Sequence, residues 1–495
     1  MQMTEEEFEH LASKGYNRVP LVREVLADTE TPLSIYLKLG KGKHSYFFES
    51  VQGGEKWGRF SIIGLPCSTI LRVSGNNVSV ITDDIVQEEV ETDDPFGFIS
   101  DFKSRFNVAV TKNDHRFIGG LVGYFSYDAV RFVEPTIGPS LGIDEIKTPD
   151  ILLMLSEEVV VFDNLRGTIS FVINVDSEKL ENYKLAQARL DQLQEMLKCS
   201  APLPNSEKVE SEGGNEFQHH FDQESYETAV RRIKDYIAAG DVMQVVLAQR
   251  MSIDFLGDPV NVYRALRYLN PSPYMVFFDM GDHHIASSSP EILARVEAGK
   301  ITVRPLAGTR KRGATESEDI ALEEELLSDA KEIAEHLMLI DLSRNDSGRV
   351  SKIGTVKVPK KFVIERYSHV MHIASVVESE IRSDKSSLDV LQSTLPVGTL
   401  SGAPKVRAMQ IINELEPEKR GVFGGAMGYL GWNDNMDMAI AIRTAVIKEN
   451  KLYVQAGAGI VADSQPTMEW EETQQKARAI VHAVRLAENS LNLED

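Results

Sequence analysis

The chain has 495 residues, 42% of them hydrophobic and 26% charged, so it can bury more than one sizeable core and is neither coil-like nor fibrous. Its 53 Lys and Arg residues are outnumbered by 75 Asp and Glu residues, and the net charge of -22 disfavours nucleic acid and anionic lipid as partners. The two cysteines, Cys67 and Cys199, are too far apart in sequence for a disulfide framework or a cysteine zinc site.

The amino terminus, MQMTEEEFEH, is acidic where a signal peptide would be basic. No apolar run approaches the ~20 residues that span a bilayer. We therefore expect a cytoplasmic protein, neither secreted nor inserted in a membrane.

Alternating apolar and polar residues predict an antiparallel sheet in the first part of the chain. The predicted strands cover residues 45–50, 59–64, 69–75, 77–82 and, as two strands, 151–163. Leucines at helical spacing then predict an amphipathic helix from Ser177 to Leu197, with Ser177 as its cap.

Residues 199–220 are rich in Pro, Ser, Gly, Glu and Asn and show no periodicity. Such composition is typical of a linker or a long surface loop. The segment divides the sequence into an amino-terminal region, 1–198, and a second region, 221–495.

The second region mixes helices and strands. Helices are predicted over 222–239, 319–342 and 468–488, and strands over 242–250, 274–279 and 301–305. More strands, separated by turns, follow in roughly the last 130 residues. Strand runs and helix runs are grouped and do not strictly alternate, which favours an α+β fold.

Two predicted helices carry glutamates three positions apart: Glu332 with Glu335, and Glu469 with Glu472. This spacing puts each pair on one helical face. If the two helices face one another, the carboxylates form a set of hard oxygen donors that suits Mg²⁺. Glutamate pairs are also common on solvated helix surfaces, and the spacing alone leaves both interpretations open.

Glycine-rich turns recur at 306–313, 396–405, 422–428 and 455–463. Their backbone amides could bind a carboxylate or phosphate, or the turns could be ordinary hairpins. None has the spacing of a nucleotide-binding motif. In the second turn, Pro404 is well placed as the first residue of a helix.

Four further side chains are candidates for chemistry. His372, in a predicted strand, is either a hydrogen-bonded core residue or a general base. Glu291 follows a proline and is either an acid or a helix cap. Arg443 and Lys476 are cations that bind an anion or form salt bridges.

Taken together, and in this order, eight motifs resemble those of the chorismate-utilising enzymes, and specifically the large (component I) subunit of anthranilate synthase. They are SSPE, RPLAGTRKRG, AKEIAEHLMLIDLSRND, RYSHVMHIAS, PVGTLSGAPKVRAMQII, RGVFGGAMGYLGW, MAIAIRT and QAGAGIVADSQPTMEWEETQQKA. The resemblance implies an α+β architecture of two large stacked antiparallel sheets flanked by helices, with the two halves of the chain interleaved.

The resemblance also implies a Mg²⁺-dependent reaction, the first committed step of tryptophan biosynthesis. Ammonia adds to C2 of chorismate as the C4 hydroxyl leaves, and loss of pyruvate then gives anthranilate. By resemblance, Glu291 is the acid for that hydroxyl and His372 is the base for the C2 proton. The implied metal ligands are Glu335 and Glu472, with Glu332 and Glu469 close behind them.

The implied substrate contacts are Gly308, Thr309, Phe423, Arg443, Gly457, Ala458, Gly459 and Lys476. Arginine, lysine and backbone amides are the groups that a dianion requires in an acidic protein. Many relatives have Tyr at the position of Phe423, so we expect weaker or altered chorismate binding there.

Two positions separate this branch from its siblings. Aminodeoxychorismate synthases often have a nucleophilic Lys where this chain has Ala307. Isochorismate and salicylate synthases place a lysine, the base for an attacking water, near the position of Gln244.

The segments FFES (47–50) and NPSPYM (270–275) resemble the two parts of the family's tryptophan feedback site. The implied contacts are Glu49, Ser50, Asn270, Pro273, Tyr274 and Met275. The alternative is a strand packed on a proline-rich loop.

Neither cysteine lies in a nucleophile-like context, so glutamine-dependent activity requires a separate glutamine amidotransferase subunit, and free ammonia should serve the isolated chain. Two other functions stay open. One is aminodeoxychorismate synthase component I, for which Ala307 is adverse. The other is an inactive tryptophan-binding subunit, which would have no need of the carboxylates, His372 and Arg443 together.

Overall fold

The structure is a computed structural model that describes residues 3–52, 56–110, 115–202, 204, 217–367, 370–489 and 491–493, with residues 52, 56 and 57 described by their backbone alone. Most of the predicted linker, 199–220, lies outside the described residues. No helix in the described part of the chain is both long and apolar enough to cross a membrane.

The described residues form eleven α-helices. In chain order they are α1 Glu5–Ser13, α2 Pro32–Ile35, α3 Pro95–Ser104, α4 Glu181–Leu197, α5 Gln223–Ala239, α6 Pro259–Leu269, α7 Glu316–Ser328, α8 Ala330–Gly348, α9 Ser387–Thr394, α10 Lys405–Leu415 and α11 Pro466–Glu488.

The strands are numbered in the same way. They are β1 Arg18–Leu26, β2 Ser45–Glu49, β3 Val51–Gln52, β4 Lys56–Trp57, β5 Phe60–Gly64, β6 Thr69–Ser74, β7 Asn77–Thr82, β8 Ile85–Glu91, β9 Gly120–Phe125, β10 Ile151–Ser156, β11 Glu158–Asp163, β12 Thr168–Asp176, β13 Gln218–His219, β14 Gln244–Asp254, β15 Tyr274–Asp279, β16 His284–Ser289, β17 Ile292–Glu297, β18 Lys300–Val303, β19 Leu306–Lys311, β20 Lys357–Arg366, β21 Val370–Glu380, β22 Gly402–Ala403, β23 Ala426–Gly431, β24 Met436–Ile440, β25 Thr444–Lys448 and β26 Lys451–Ile460.

Most of the strands form two 12-stranded antiparallel sheets. The first has the order β1-β12-β11-β5-β2-β15-β16-β25-β26-β14-β13, with β22 beside β14. The second has the order β19-β21-β18-β17-β24-β23-β9-β10-β6-β7-β8, with β20 beside β21. The predicted α+β class and its two large sheets are confirmed. Because β2 pairs with β15 and β9 with β23, both sheets contain strands from before and after 199–220. Separate roles for 1–198 and 221–495 stay a prediction.

The two sheets pack face to face. One apolar cluster contains Tyr46 and Phe278 of the first sheet together with Tyr124 and Met427 of the second. Phe47, next to Tyr46, points to the opposite side of β2, where α4, α6 and α11 cover the sheet. Helices α3, α8 and α9 cover the second sheet in the same way. The alternation that predicted the strands thus separates the inner core from the helical layers.

Three local predictions about helices are wrong. The segment 319–342 is not one helix, because α7 ends at Ser328 and the Asp329 carboxylate accepts hydrogen bonds from the first amides of α8. Ser177 does not cap α4, since its hydroxyl donates to the carbonyl of Tyr16. Pro404 is the residue before α10 and not its first helical residue.

Candidate active site

Strands β19 and β21 bring His372 beside the predicted substrate turn. Gly308 has a φ of +65° and forms an irregularity in β19, so that Thr309 is paired with His372. Nδ1 of His372 lies 3.0 Å from Oγ1 of Thr309 and 3.2 Å from the carbonyl oxygen of Gly308. A carbonyl only accepts hydrogen bonds, so Nδ1 carries the proton and Nε2 is the basic nitrogen.

His372 is neutral at physiological pH in this environment. Burial lowers its pKa to about 4, and the positive charges of Arg443 and Arg304 act in the same direction. An unperturbed histidine has a pKa near 6.5. The larger part of the difference comes from burial of the ring, and the two arginines, from distant parts of the chain, add to it.

Glu291 lies between β16 and β17 and is buried. Its Oε1 accepts a hydrogen bond from the hydroxyl of Thr399 at 3.4 Å. Burial raises the pKa of Glu291 to about 7, while the Thr399 hydrogen bond and the charges of Arg304 and Arg443 oppose this rise. A carboxyl group with this pKa can hold a proton near neutral pH and deliver it to a leaving group. It does not cap a helix, since β17 follows it.

Arg443 is the predicted carboxylate-binding cation. It precedes β25, and its φ of +49° is unusual for a residue with a side chain. Its guanidinium makes no hydrogen bond or ion pair with the residues that the structure describes, although its charge acts on Glu291, His372 and Tyr367. A cation in this condition suits an anionic ligand.

Three site residues were missed by sequence reasoning. Arg304 acts on both Glu291 and His372 and pairs with Glu365 of β20. The ring of Tyr367 lies 5.7 Å from that of His372. Thr399 belongs to the glycine-rich turn 396–405. Arg304 and Tyr367 fall within motifs that carry the family resemblance, but no local spacing shows that they meet.

The two predicted metal-binding pairs lie within the first two turns of α8 and α11. Glu332 accepts a hydrogen bond from Arg310 at 3.0 Å, and Glu335 accepts one from Gln244 at 3.2 Å. Burial raises the pKa of Glu335, the charge of Glu332 adds to the rise, and the bond from Gln244 opposes it. This half of the site is therefore partly buried, and not the solvated surface that the spacing also allowed.

On α11, Glu472 pairs with Lys476 at 2.7 Å, and the same ammonium donates to the carbonyl of Gly457 at 2.9 Å. Burial raises the pKa of Glu469, a hydrogen bond from Ser464 opposes the rise, and the charge of Glu472 adds to it. Lys476 therefore joins α11 to β26 next to the predicted substrate contacts.

The two helices share one electrostatic neighbourhood. Lys331 of α8 pairs with Asp463, just before α11, at 2.9 Å. That hydrogen bond raises the pKa of Lys331, and the charges of Glu335 and Glu469 raise it further. Carboxylates from both helices thus act on one ammonium group. A divalent cation would relieve the repulsion within each glutamate pair, and carboxylates are donors that suit Mg²⁺. The structure nevertheless brings no three of these four carboxylates, all of which it describes, within 4.8 Å of one another.

The glycines of β26 lie where strand pairing ends on one side. β25 pairs only with residues 451–454 of β26, while β14 pairs along its whole length. A Cβ on Gly459 would lie 2.6 Å from Nε2 of Gln244, so a larger residue there would require the Gln244 side chain to move. Gly459 therefore lies beside the Gln244–Glu335 hydrogen bond.

Phe423 is buried, with 8% of its surface exposed, and the guanidinium of Arg420 lies 5.7 Å from its ring. It packs in the cluster that contains Leu400. Ala307 precedes the Gly308 irregularity in β19 and pairs with Ile373, one residue from His372. A lysine side chain at position 307 would thus begin next to the substrate turn.

A small cleft lies beside Glu291, lined also by Arg304, Asp346 and Thr399. Lys405 pairs with Asp346 at 2.6 Å, and Asp346 is 5% exposed. Lys405 belongs to the glycine-rich turn 396–405, so this lysine anchors the turn that carries Thr399 to α8.

The predicted tryptophan segments are neighbours, since Met275 of β15 pairs with Glu49 of β2. Glu49 is buried, and its carboxylate accepts hydrogen bonds from Tyr263 at 2.7 Å and from Arg267 at 2.8 Å. Sequence reasoning missed both of these partners, which come from α6.

The remaining predicted contacts differ in orientation. Tyr274 donates to Asp437 of the second sheet at 2.8 Å and so points away from Glu49. Asn270 donates to the hydroxyl of Ser288 at 3.2 Å. Val51, which follows Ser50, donates its amide to the carbonyl of Ser272, beside Pro273. The tryptophan site stays a prediction.

A second group with metal-ligating side chains consists of Glu145, His220 and Glu418. Nδ1 of His220 lies 2.9 Å from Glu145 and 3.8 Å from Glu418. Arg250, itself 2% exposed, pairs with Glu418 at 2.9 Å and already supplies a counter-ion. Since β14 carries both Gln244 and Arg250, this group lies roughly 20 Å along the strand from the predicted metal site.

The chain matches the family model described as chorismate binding enzyme over residues 47–482. It is 58% identical to anthranilate synthase component 1 of Pseudomonas aeruginosa over 99% of this chain and 100% of that protein.

Solved structures of similar fold include an anthranilate synthase component I. Anthranilate synthase component I from Streptococcus pneumoniae superposes with a TM-score of 0.76 at 37% identity, covering 92% of this chain and 99% of that chain. The menaquinone-specific isochorismate synthase from Escherichia coli shares the fold, with a TM-score of 0.70 at 19% identity, covering 96% and 98% of the two chains. The chain belongs to the chorismate binding enzyme family.

Proposed function

We propose that the chain is an anthranilate synthase component 1 that converts chorismate and ammonia to anthranilate and pyruvate with Mg²⁺. The observation that carries the proposal is Arg443, a cation without a hydrogen-bonded partner among the described residues, whose charge acts on both Glu291 and His372. Acid, base and anion-binding group therefore share one site. The full-length similarity to component 1 proteins supports the choice of reaction.

The residues proposed to hold Mg²⁺ are Glu335 and Glu472, with Glu332 and Glu469 behind them. When bound, the ion would neutralise the ring carboxylate of chorismate and so favour attack by a nucleophile and loss of the C4 oxygen. Arg443 and Lys476 pair with the anionic groups of the substrate. Thr309 and the amides of Gly457 to Gly459 complete its binding.

Glu291 is the proposed acid for the C4 hydroxyl. Its pKa of about 7 leaves a substantial protonated fraction near neutral pH. Binding of the chorismate dianion near Arg443 weakens the charge that holds this pKa down, so the protonated form is favoured further in the complex. The proton moves from the carboxyl group to the departing oxygen, which leaves as water.

His372 is the proposed base for the C2 proton during loss of pyruvate. The neutral ring offers Nε2, because Nδ1 is held by Gly308 and Thr309. A pKa of about 4 would make it a weak base in the free protein. Pairing of Arg443 with a substrate carboxylate offsets the positive charge that helps to lower the pKa of His372, so this pKa rises when chorismate binds.

Two residues favour this reaction over those of sibling enzymes. Ala307 has no amine, so the covalent route of aminodeoxychorismate synthases is not available. Gln244 cannot act as a base for water, and its amide donates to Glu335 instead. The runner-up function is aminodeoxychorismate synthase component I.

The proposal extends to partners and location. Glutamine-dependent activity would need a glutamine amidotransferase subunit, as component II, and the β2 and β15 segments would bind tryptophan as a feedback inhibitor. The location proposed is the cytoplasm, which the two isolated cysteines support.

The test separates the two half-reactions. His372→Asn is given chorismate, ammonium and Mg²⁺, and the products are separated by chromatography. An aminated ring that retains its enolpyruvyl group is expected, because amination needs Glu291 while pyruvate loss needs His372. Wild-type protein should release pyruvate. Equal anthranilate formation by the variant would contradict the role of His372, and no amination by the wild type would contradict the function.

A further inference from the structure

Arg310 lies next to Thr309 on β19 and contacts two other elements, α7 and α8. Its Nε donates to Glu325 near the end of α7, and its Nη2 donates to Asp329 at the start of α8, each at 3.0 Å. Its Nη1 donates to Glu332 and to the carbonyl of Thr309, also at 3.0 Å. All three guanidinium nitrogens are thus in use, and the side chain is 21% exposed.

These contacts join the substrate turn to the metal-binding helix. Asp329 caps α8 by accepting hydrogen bonds from the amides of Lys331 and Glu332, so its position sets the direction of the first turn. The other oxygen of Glu332 lies 3.1 Å from the point where a side chain on Gly308 would begin. A shift of the turn at 308–309 therefore moves the Glu332 carboxylate.

Arginine is suited to this task and lysine is not. The planar guanidinium offers donors in several fixed directions, whereas an ammonium group is a compact charge on a flexible stem. A lysine at position 310 would keep the positive charge beside Glu332 but could not hold Glu325, Asp329 and Thr309 in one geometry.

We propose that Arg310 is a positioning residue that couples binding of the divalent cation to binding of chorismate. The inference rests on the proposed function, since it takes Glu332 as part of the metal site and Thr309 as a substrate contact. Chorismate fixes the turn, Arg310 transmits that position to α8, and the carboxylates are then held for the ion. Linkage makes the effect reciprocal, because each ligand strengthens binding of the other by the same factor.

The experiment measures binding of Mn²⁺ as the probe ion, by its electron paramagnetic resonance signal, with and without chorismate in ammonia-free buffer. The ratio of the two dissociation constants is the coupling factor. We expect a factor of about 10 for wild-type protein, within the usual range of such couplings, and less than about 2 for Arg310→Lys. Arg344→Lys is the matched control, since Arg344 is an exposed residue of α8 paired with Asp341. Its coupling factor should equal that of the wild type.

An unchanged factor in Arg310→Lys, or no coupling in the wild type, would overturn the proposal. If thermal unfolding shows that Arg310→Lys is not folded, Glu325→Gln removes one of the contacts and should lower the factor at least about twofold. Glu335→Gln tests the proposed function separately. If Glu335→Gln binds Mn²⁺ as the wild type does, the metal site itself is wrong. If Glu335→Gln loses Mn²⁺ binding while Arg310→Lys keeps the wild-type coupling factor, only the role of Arg310 is refuted.

Discussion

Glu291→Gln should lower the rate and raise the stability of the protein. The substitution removes the proton that the proposed mechanism delivers to the C4 hydroxyl, and loss of a general acid costs about 10² to 10⁴ in kcat. Glutamine keeps the shape of the side chain and can still accept the hydrogen bond from Thr399.

The gain in stability follows from the raised pKa. The pKa of Glu291 rises from its ordinary 4.5 to about 7 because the group is buried, which corresponds to about 3 kcal/mol against ionisation in the folded state. Below pH 4.5 the carboxyl is neutral in both folded and unfolded protein. Between 4.5 and 7 only the unfolded chain ionises it, so the cost grows with pH and is complete above about 7.

The assay compares thermal midpoints of wild type and Glu291→Gln at several pH values. Above pH 8 the variant should melt about 3 °C higher, given the unfolding entropy of a chain of this length, and at pH 4.5 the difference should vanish. Glu24→Gln, at an exposed position of β1, should show no such trend. A difference that does not depend on pH, or a variant with undiminished kcat, would refute the reasoning.

Three other predictions address the remaining parts of the site. Glu335→Gln should weaken Mg²⁺ binding at least about tenfold, measured by calorimetry. Glu471→Gln, at an exposed position of α11 directly before Glu472, should leave the affinity unchanged, and equal affinities in the two variants would contradict the metal site. Phe423→Tyr should lower the KM for chorismate by restoring a hydroxyl, and an unchanged KM would count against a contact at this position. Glu49→Gln should weaken tryptophan inhibition without changing kcat, because it disturbs the pairing with Arg267; a tryptophan titration that leaves the wild-type rate untouched at millimolar ligand would remove the regulatory site from the proposal.

Much of the fold could be predicted because it depends on local patterns. The strand β15 has the predicted bounds, and α11 begins within two residues of its predicted start. The break between α7 and α8 was missed because the apolar spacing continues through Asp329, and only the capping geometry ends one helix and begins the next. Sheet order depends on contacts between segments hundreds of residues apart, so it was not predicted, and the two stacked sheets were implied only by the family resemblance.

In the site, too, local spacing could be predicted and contacts between distant segments could not. The i, i+3 spacing of Glu332 with Glu335 placed both on one face of α8. The ion pair between Lys331 and Asp463, which links α8 to the start of α11, could not be predicted from the sequence of either helix. The pKa of His372 is low mainly because the ring is buried, and the charges of Arg443 and Arg304, which lie 71 and 68 positions away in sequence, lower it further. Neither the burial nor these neighbours could be predicted from the local pattern.

The most direct test of the central claim follows anthranilate fluorescence and pyruvate together in the purified chain, with chorismate, ammonium and Mg²⁺ near pH 8. Equal amounts of both products are predicted, with both abolished by a chelator and restored by added Mg²⁺. An aminated product without pyruvate would move the chain to the aminodeoxychorismate branch. A chain that shows no turnover but still binds tryptophan would contradict the enzymatic assignment.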